Sequence, residues 1–410
     1  MSIVQPPQDY KVLFLDMNSF FASVEQQVHP ELRGKAVGVT PYTGSSGCII
    51  AASYEAKQVG VKTGTKVGEA KRIFPQINII EAKPALYMVY HKEIKKVVES
   101  VTPYYRPLSI DEFMITLTPR ERNAAAAESM ARQIKEGIRA KVGDYLKCSV
   151  GVGPNYFLAK MAAESKKPDG FTVVELCELE NFYSGLRLRD LVGINSRLEA
   201  YLVQSGIITP LQLFEASLPE LRSRLNHWGR LWYFRLRGYE IDEYVSTSKT
   251  IGHSHVLAPE FRTKEGALSV ADKLIYKASY RLRKEGYMAQ GVSVSLHFVD
   301  RGSFHRSKKV ASFDDNRSFK EGAFSLLSFC RWQSRPIYVA VSAFNLVRAS
   351  GRQLSFFPDI ERSKNVSEAI DEVNDYFGAG SIYPASMMEA RDSAPDRIPF
   401  GKPRYDIIND

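Results

Sequence analysis

Cysteine is scarce in this sequence: the 410 residues contain four, and no two of them form a C-x-x-C pair. Their wide spacing excludes a disulfide framework and a zinc site of the cysteine type. We therefore expect four reduced thiols in a reducing compartment. They are Cys48, Cys148, Cys177 and Cys330.

Long apolar runs are also absent. No stretch approaches the roughly 18 apolar residues that a membrane helix needs, and the short, polar residues 1–8 do not resemble a signal peptide. Hydrophobic residues still make up 44% of the sequence and charged residues 25%, which is typical of globular proteins and excludes a fully disordered chain. At roughly 100–200 residues per domain, the length allows about two to four domains.

Acidic residues are outnumbered: 46 Asp and Glu face 55 Lys and Arg, for a formal net charge of +9. The excess is concentrated between residues 248 and 347, which contain 16 Lys and Arg against 8 Asp and Glu. A concentrated basic region is typical of proteins that follow a nucleic-acid phosphate backbone. A solvated basic surface is the alternative, and charge alone does not decide between the two.

Hydrophobic periodicity predicts a mixture of strands and helices in the first 174 residues. Short apolar runs indicate strands, and apolar residues at helical spacing indicate helices. Strands are expected at 10–16, 36–40, 48–52 and 147–153, a hairpin at 105–117 with its bend at 109–112, and helices at 20–28, 54–60, 86–100, 123–142 and 155–165. The cluster of Lys, Pro, Asp and Gly at residues 166–170 predicts a turn.

The pattern changes in the second half of the chain. Residues 186–238 hold short helical patterns joined by Gly and Pro. A βαββαβ order follows, in which helices at 267–284 and 319–332 would cover one face of a sheet and Ser, His and Lys side chains would line the other. Residues 348–410 are rich in Pro, Ser and Asp, with one helical stretch near 366–377, and are expected to form a partly ordered tail.

Three carboxylates stand out by their context. Asp16 ends an apolar strand, and Asp111 and Glu112 are adjacent at the bend of the hairpin. Neighbouring carboxylates repel each other unless a cation lies between them, and a pair of divalent ions about 4 Å apart would meet that need. Mg²⁺ suits this set, because it binds a few carboxylates together with phosphate oxygens and water. A solvated acidic turn is the alternative interpretation.

Lysines at two places could serve as partners for phosphate groups. Tyr54 and Lys57 lie one turn apart on a short predicted helix, so that both side chains can point the same way. Lys167 lies on the tight turn that follows a predicted helix. A lysine beside a triphosphate acts as a point charge, but ordinary solvation explains a single surface lysine equally well.

Five segments of the sequence, in this order, resemble those of one protein family: VLFLDMNSFFASVE (12–25), ASYEAKQVGVKTG (52–64), LSIDEFMITL (108–117), SVGVGPNYFLAKMAAESKKPDG (149–170) and residues 348–377. The chain resembles the Y-family, or translesion, DNA polymerases over about residues 10–347, and its tail is similar to that of bacterial members. It mixes features of the polymerase IV-like (DinB) branch with those of the UmuC-like branch.

The resemblance implies an α+β fold shaped like a right hand. It assigns residues 9–19 and 83–174 to a ferredoxin-like palm, 20–82 to small fingers and 175–240 to a helical thumb with a helix-hairpin-helix. The βαββαβ unit at 247–347 corresponds to the little finger, which binds DNA in this family. Residues 348–410 correspond to a tail with a clamp-binding peptide.

The resemblance also implies the roles of the residues singled out above. Asp16, Asp111 and Glu112 would hold two Mg²⁺ ions, with Mn²⁺ as a substitute, helped by the carbonyl of Met17. The side chains that would contact the nucleotide are Phe20, Phe21, Tyr54, Lys57 and Lys167, and Phe21 would be the steric gate that excludes ribonucleotides.

Some contacts implied by the resemblance depart from the common pattern. Many members have Arg at the position of Lys57 and Thr at that of Ala51, so a looser grip on phosphate is expected here. The thumb contact with DNA falls on Gly193, where the usual Gly-x-Gly reads Gly-Ile-Asn. The remaining implied contacts are Lys249, Arg306 and Lys308 with DNA, and Gln353, Leu354, Phe356 and Phe357 with the sliding clamp.

The resemblance thus implies a template-directed DNA polymerase of low fidelity that bypasses damaged template bases. Its partners would be primer-template DNA, deoxynucleoside triphosphates and the sliding clamp, with no membrane; a monomer in the bacterial cytoplasm or nucleoid is expected. A non-catalytic relative that binds only DNA or the clamp is the alternative, which the three retained carboxylates disfavour. An unrelated palm-type cyclase would not explain the basic C-terminal region.

Overall fold

The computed structural model describes residues 10–45, 47–241, 250–349, 358–378 and 380–395, the side chains of residues 358–361 excepted. The described residues up to 241 belong to one compact unit, and those from 250 onward belong to a second. Helices and strands are mixed in both units, in agreement with the predicted α+β class. None of the helices formed by the described residues is long and apolar enough to cross a lipid bilayer.

The N-terminal unit begins with a buried strand and a small sheet. The elements are β1 (Val12–Met17), α1 (Phe20–Val28), β2 (Val37–Thr40), β3 (Ala51–Ala52), α2 (Tyr54–Gln58), α3 (Val67–Ile73) and β4 (Asn78–Glu81). Strand β2 pairs in parallel with β4 and antiparallel with β3. The strand predicted at 48–52 is shorter than expected, because Cys48 forms an isolated bridge with Lys66 instead of extending β3.

The main sheet of this unit has β1 at its centre. The elements that complete it are α4 (Pro84–Val101), β5 (Tyr105–Pro107), β6 (Glu112–Thr116), α5 (Ala124–Lys141), β7 (Cys148–Gly153), α6 (Tyr156–Ser165) and β8 (Phe171–Val173). The strand order is β5-β6-β1-β7-β8, and β1 runs antiparallel to both of its neighbours. The predicted hairpin at 105–117 is formed by β5 and β6.

Both faces of the main sheet are covered, which explains why every residue of β1 is buried. Leu15 belongs to the large core that includes residues of α4 and α5, whereas Phe14 packs with residues of α6 on the opposite face. Because side chains alternate along a strand, Asp16 shares the α6 face with Phe14. Helix α6 lies close to this face, since a Cβ added to Gly151 would be 2.0 Å from the carbonyl oxygen of Ala159.

Short helices complete the N-terminal unit around a core of their own. They are α7 (Leu179–Ser184), α8 (Ser196–Gln204), α9 (Pro210–Glu215), α10 (Leu218–Leu225) and α11 (His227–Leu236). A 3₁₀ turn at Leu188–Asp190 precedes α8, and Gly193 lies between them with a φ of +99°. That left-handed conformation favours glycine, so the predicted hairpin turn has the backbone shape it needs.

The C-terminal unit has the predicted βαββαβ order. Its elements are β9 (Thr250–Val256), α12 (Lys264–Lys284), β10 (Tyr287–Phe298), β11 (Ser303–Phe313), α13 (Asn316–Leu327) and β12 (Pro336–Arg348). The strand order is β11-β10-β12-β9, with antiparallel pairing throughout these strands. Val292, Val294 and Leu296 of β10 are buried with residues of α12 and α13, as the alternating pattern predicted.

The region expected to be a partly ordered tail contains a docked helix, α14 (Pro358–Phe377), longer than the stretch predicted near 366–377. Arg283 of α12 makes two hydrogen bonds of 2.6 and 2.9 Å to Asp371 of α14. Tyr276 accepts a hydrogen bond from the amide of Asn374. Farther along, Ala390 is buried in the core of the unit. Polar anchors of this kind leave no periodic signal in the sequence, which is why the pattern missed them.

Candidate active site

Strand pairing brings the three predicted carboxylates together at one end of the main sheet. Asp16 of β1 lies directly opposite Glu112 of β6 in the antiparallel register. The backbone N–H of Met17 donates a 2.9 Å hydrogen bond to the carbonyl of Asp111. Directly opposed residues of an antiparallel pair share a face of the sheet, so the Asp16 and Glu112 side chains lie on the same side.

Lysines of α6 and of the turn after it engage these carboxylates. Lys167 Nζ donates a 2.8 Å hydrogen bond to Asp16 Oδ1 and a 2.7 Å hydrogen bond to Glu164. Lys160 Nζ lies 2.7 Å from Glu112 Oε1. Both lysines reach the acids because α6 covers the sheet face on which Asp16 and Glu112 lie.

Burial makes the ionised form of two of the acids costly. It raises the pKa of Asp16 to about 7, although the adjacent Lys167 ammonium acts in the opposite direction. Burial also raises the pKa of Asp111, where a 2.5 Å hydrogen bond from Ser109 opposes the shift and the charge of Glu112 adds to it. Burial therefore favours the neutral form of both acids, and a bound cation would stabilise their ionised form.

The donor chemistry of the site fits a hard divalent cation. Carboxylate oxygens and a backbone carbonyl are the ligands that Mg²⁺ prefers, and Asp16, Asp111, Glu112 and the carbonyl of Met17 are of this kind. Among the residues that the structure describes, no three His, Cys, Asp or Glu side chains form a ready-made metal cluster. Asp16 and Glu112 instead face Lys167 and Lys160.

A cleft of about 460 Å³ opens beside the carboxylates. Its lining includes most of the side chains predicted to contact a nucleotide: Phe20, Phe21, Lys57 and Lys167. Tyr54 is not among the lining residues, but the centroid of its ring lies 4.4 Å from Nζ of Lys57. That ammonium also donates a 2.8 Å hydrogen bond to Ser19. Ala51 lines the cleft with no hydroxyl to offer.

Phe21 is held in place by an aromatic partner. Its ring stacks on that of Tyr87, with centroids 4.4 Å apart and planes 13° from parallel. The Tyr87 hydroxyl donates a 2.8 Å hydrogen bond to Glu25, which also pairs with Lys83 at 3.0 Å. Phe21 is 8% exposed and lines the cleft, so it presents a rigid wall rather than a mobile ring.

Sequence reasoning missed several residues around this site. Lys160 lies seven residues before Lys167, and its place on the sheet-facing side of α6 was the available signal. His91 of α4 makes a 2.7 Å hydrogen bond to the carbonyl of Ile110, next to Asp111. Its burial and separation in sequence left no local signal. Asn18 contacts the turn that carries Lys167.

Two of the predicted DNA contacts of the C-terminal unit, Arg306 and Lys308, lie on β11. Arg306 and Lys308 lie opposite Val294 and Val292, and therefore on the helix-covered side of β11. The Lys308 ammonium donates to Ser325 of α13, and the Arg306 guanidinium lies 4.5 Å from the centroid of the Phe329 ring. The open face of the sheet carries others: Ser293, Ser295, His297, His305, Ser307 and Lys309.

The remaining predicted contacts fall outside the described residues. These are Lys249 of the DNA contacts, together with the clamp residues Gln353, Leu354, Phe356 and Phe357. Gly193 is described, and it lies in the turn before α8.

Comparisons with known proteins agree with this geometry. Residues 15–164 match the model of the impB/mucB/samB family, and residues 248–356 match that of the impB/mucB/samB family C-terminal domain. DNA polymerase IV of Moorella thermoacetica is 34% identical over 385 residues, which is 92% of this chain and 96% of that protein. DNA polymerase IV of Pelotomaculum thermopropionicum is 32% identical over 397 residues, or 93% and 97% of the two chains.

A solved structure supports the same relationship. A Y-family DNA polymerase chimera of Dbh and Dpo4 superimposes with a TM-score of 0.71 at 25% identity, covering 82% of this chain and 99% of that one. The fold is thus that of the Y-family polymerases, and the polymerase IV relatives align over almost the whole length of both chains. This chain belongs to the Y family of DNA polymerases, in the group of the DinB-like polymerase IV proteins.

Proposed function

We propose that this chain, a DNA-directed DNA polymerase by family, adds deoxynucleotides to a primer 3′-hydroxyl beside Asp16, Asp111 and Glu112, and does so with low fidelity across damaged template bases. The observation that carries the proposal is the pairing of β1 with β6, which sets Asp16 opposite Glu112 in the wall of a nucleotide-sized cleft. In the reaction, the primer oxygen bonds to the α-phosphorus of the nucleotide while the bond to pyrophosphate breaks.

Asp16, Asp111, Glu112 and the carbonyl of Met17 would hold two Mg²⁺ ions, which, when bound, supply an activated 3′-hydroxyl and neutralise the leaving pyrophosphate. The burial of Asp16 and Asp111 supports this assignment, because burial disfavours the ionised carboxylate and a bound cation favours it. Mn²⁺ prefers the same oxygen donors and could replace Mg²⁺.

The lysines of the cleft would bind the triphosphate. Lys57 and Lys167 both line the cleft, so their ammonium groups can act as point charges on phosphate oxygens. The aromatic ring of Tyr54 packs against the ammonium of Lys57. Phe21, with Phe20 beside it, would close the space that a ribose 2′-hydroxyl needs, and the stack on Tyr87 keeps that wall rigid.

The C-terminal unit would hold primer-template DNA without reading its sequence. Residues 248–347 of this unit contain 16 Lys and Arg against 8 Asp and Glu. Strand β11 is an edge strand with Lys309 on the open face and Arg306 and Lys308 on the other. Basic side chains and free strand N–H groups suit the phosphate backbone. We propose that the turn at Gly193 and the basic Lys249 add further phosphate contacts.

Primer extension on an undamaged template and on one with an abasic site tests the proposal, with Mg²⁺ and each nucleotide offered separately. The wild-type protein should extend both primers. Asp111→Asn keeps the shape of the side chain but removes its charge, so extension should fall by roughly 10³-fold or more while DNA affinity is retained. Glu128→Gln, an exposed acid on α5, is the matched control and should change neither.

Three outcomes of this experiment would contradict all or part of the proposal. Undiminished extension by Asp111→Asn would refute the role of the carboxylates. A wild-type protein that binds primer-template DNA but never extends it would support the alternative of a non-catalytic relative. Extension that stops at the abasic site would leave a DNA polymerase but refute lesion bypass for this type of damage.

A further inference from the structure

The side chain of Asn18 links the strand that carries Asp16 to the turn that carries Lys167. Asn18 follows β1 and is 2% exposed. Its Oδ1 accepts a 2.7 Å hydrogen bond from the backbone N–H of Asp169, and its Nδ2 donates a 3.0 Å hydrogen bond to Ser149 Oγ. Its own backbone N–H donates to the carbonyl of Lys147 at 2.8 Å, so the residue is fixed to the end of the main sheet.

The turn itself is tight and is held from its other side by a lysine. Asp169 has a left-handed φ of 57°, and a Cβ added to Gly170 would lie 1.8 Å from the carbonyl oxygen of Lys166. Lys135 Nζ donates to the Asp169 carbonyl at 2.6 Å, to Asp169 Oδ1 at 2.9 Å and to the Gly170 carbonyl at 3.1 Å. Asn18 thus forms a hydrogen bond to the inner side of the turn, and Lys135 forms hydrogen bonds to its outer side.

The position of Lys167 depends on the hydrogen bonds that Asn18 and Lys135 make to this turn. A lysine ammonium sits on a flexible four-carbon chain, so the backbone from which it starts determines where the charge can lie. Asn18 is two residues from Asp16, and the Asp169 N–H that it binds is two residues from Lys167. The hydrogen bond therefore fixes the distance between the strand with the carboxylate and the turn with the ammonium.

We infer that Asn18 is a positioning residue, which holds the Lys167 turn so that the ammonium stays in the cleft to receive the triphosphate of the incoming nucleotide. This inference rests on the proposed function of Lys167. Asn18 acts through Lys167 and does not itself touch the nucleotide. Its loss would leave the N–H of Asp169 without the acceptor of this part-buried hydrogen bond and would release the turn.

Single-nucleotide incorporation kinetics separate this role from one in stability alone. Asn18→Leu removes the acceptor at similar volume, so the KM for the nucleotide should rise by up to about 10-fold, the size expected for one lost hydrogen bond, with a much smaller change in kcat. Asn18→Asp keeps an acceptor for Asp169, and the Ser149 hydroxyl can donate to it, so its KM should stay within about 3-fold of the wild type.

Variants of neighbouring residues complete the design. Lys167→Met should raise the KM by itself, and adding Asn18→Leu to it should raise the KM by less than about 2-fold more, because residues that act as a unit are not additive. If Asn18→Leu does not fold, Lys135→Met loosens the same turn from its half-buried outer side and should raise the KM selectively.

The outcomes distinguish this inference from the proposed function. A wild-type protein that incorporates no nucleotide would refute the proposed function and the inference with it. If the wild-type protein is active, the variants test the inference separately from the proposed function. The inference would then be overturned by an unchanged KM in folded Asn18→Leu, by an equal rise in the Lys167→Met background, or by Asn18→Asp being as impaired as Asn18→Leu.

Discussion

At the residue scale, the site is a balance between buried acids and the lysines that reach them. Asp16 has Lys167 as its partner and Glu112 has Lys160, while burial still raises the pKa of Asp16 to about 7. A nucleotide with its cations would bring both signs of charge at once. The cations would bind the carboxylates, and the Lys167 ammonium could then bind a phosphate oxygen instead of Asp16. The lysines thus stabilise the acids without closing the site.

Phe21 allows a test of sugar selection at the same scale. Phe21→Ala removes the ring that lines the cleft, so ribonucleotides should enter and discrimination against them should fall by roughly 10- to 200-fold, the range for one steric feature of a pocket. The ratio of kcat/KM for deoxy- and ribonucleotides measures it. Tyr87→Phe is the matched control, because it keeps the stack and loses only the hydrogen bond to Glu25.

The Tyr87→Phe control also tests what holds the ring of Phe21 in place. Selection that survives Tyr87→Phe but is lost in Phe21→Ala agrees with a wall made by the ring of Phe21. Equal discrimination in Phe21→Ala and the wild type would remove the gate assignment altogether. A loss in Tyr87→Phe would instead assign the wall's rigidity to the hydroxyl.

At the element scale, the sequence was informative wherever one face of an element is apolar. Helix α5 and the βαββαβ order were predictable because burial on one side imposes a period of 2 or 3.6 residues. Strand β11 was predicted as part of that order, but its two faces could not be told apart, because polar residues occupy both. Only the register with β10 shows that Arg306 and Lys308 lie on the side covered by helices. The meeting of Asp16 with Glu112 also depends on register, which a resemblance could supply and periodicity could not.

Helix α14 was the element least visible in the sequence, and its docking can be measured. Arg283 and Asp371 are 7% and 13% exposed, so Asp371→Ala leaves a nearly buried guanidinium without its carboxylate, although the guanidinium still donates to the carbonyl of Asp314. Breaking a buried pair in this way costs about 3–5 kcal/mol, and the C-terminal unit should lose stability to that extent in urea unfolding. Arg317 and Glu321 form an exposed pair, 70% and 66% exposed, in the same unit.

That exposed pair provides the control for α14. Glu321→Ala should change the free energy of unfolding by less than about 1 kcal/mol, because surface ion pairs contribute little. Equal effects of Asp371→Ala and Glu321→Ala would mean that α14 is not held by its polar anchors. The helix would then be the partly ordered tail that composition alone predicted.

At the scale of the whole molecule, the carboxylate site and the proposed clamp peptide lie in different parts of the chain. The carboxylates and the cleft belong to the N-terminal unit, whereas the basic sheet belongs to the C-terminal one. The peptide Gln-Leu-Ser-Phe-Phe at 353–357 lies in sequence between β12 and α14, two elements of the C-terminal unit. Contact with a clamp at this place would add affinity for DNA without touching the active site.

Substitution of the clamp peptide therefore separates processive from distributive synthesis. A deletion would shorten the connection to the docked helix α14, so alanine at Gln353, Phe356 and Phe357 is the better change. Removing these anchors should abolish most of the stimulation by a sliding clamp, because a few buried side chains dominate such interfaces, and should leave distributive extension intact. Ser355→Ala, within the same peptide, is the matched control. Stimulation that is the same in both variants would refute the clamp assignment and leave the polymerase activity unaffected.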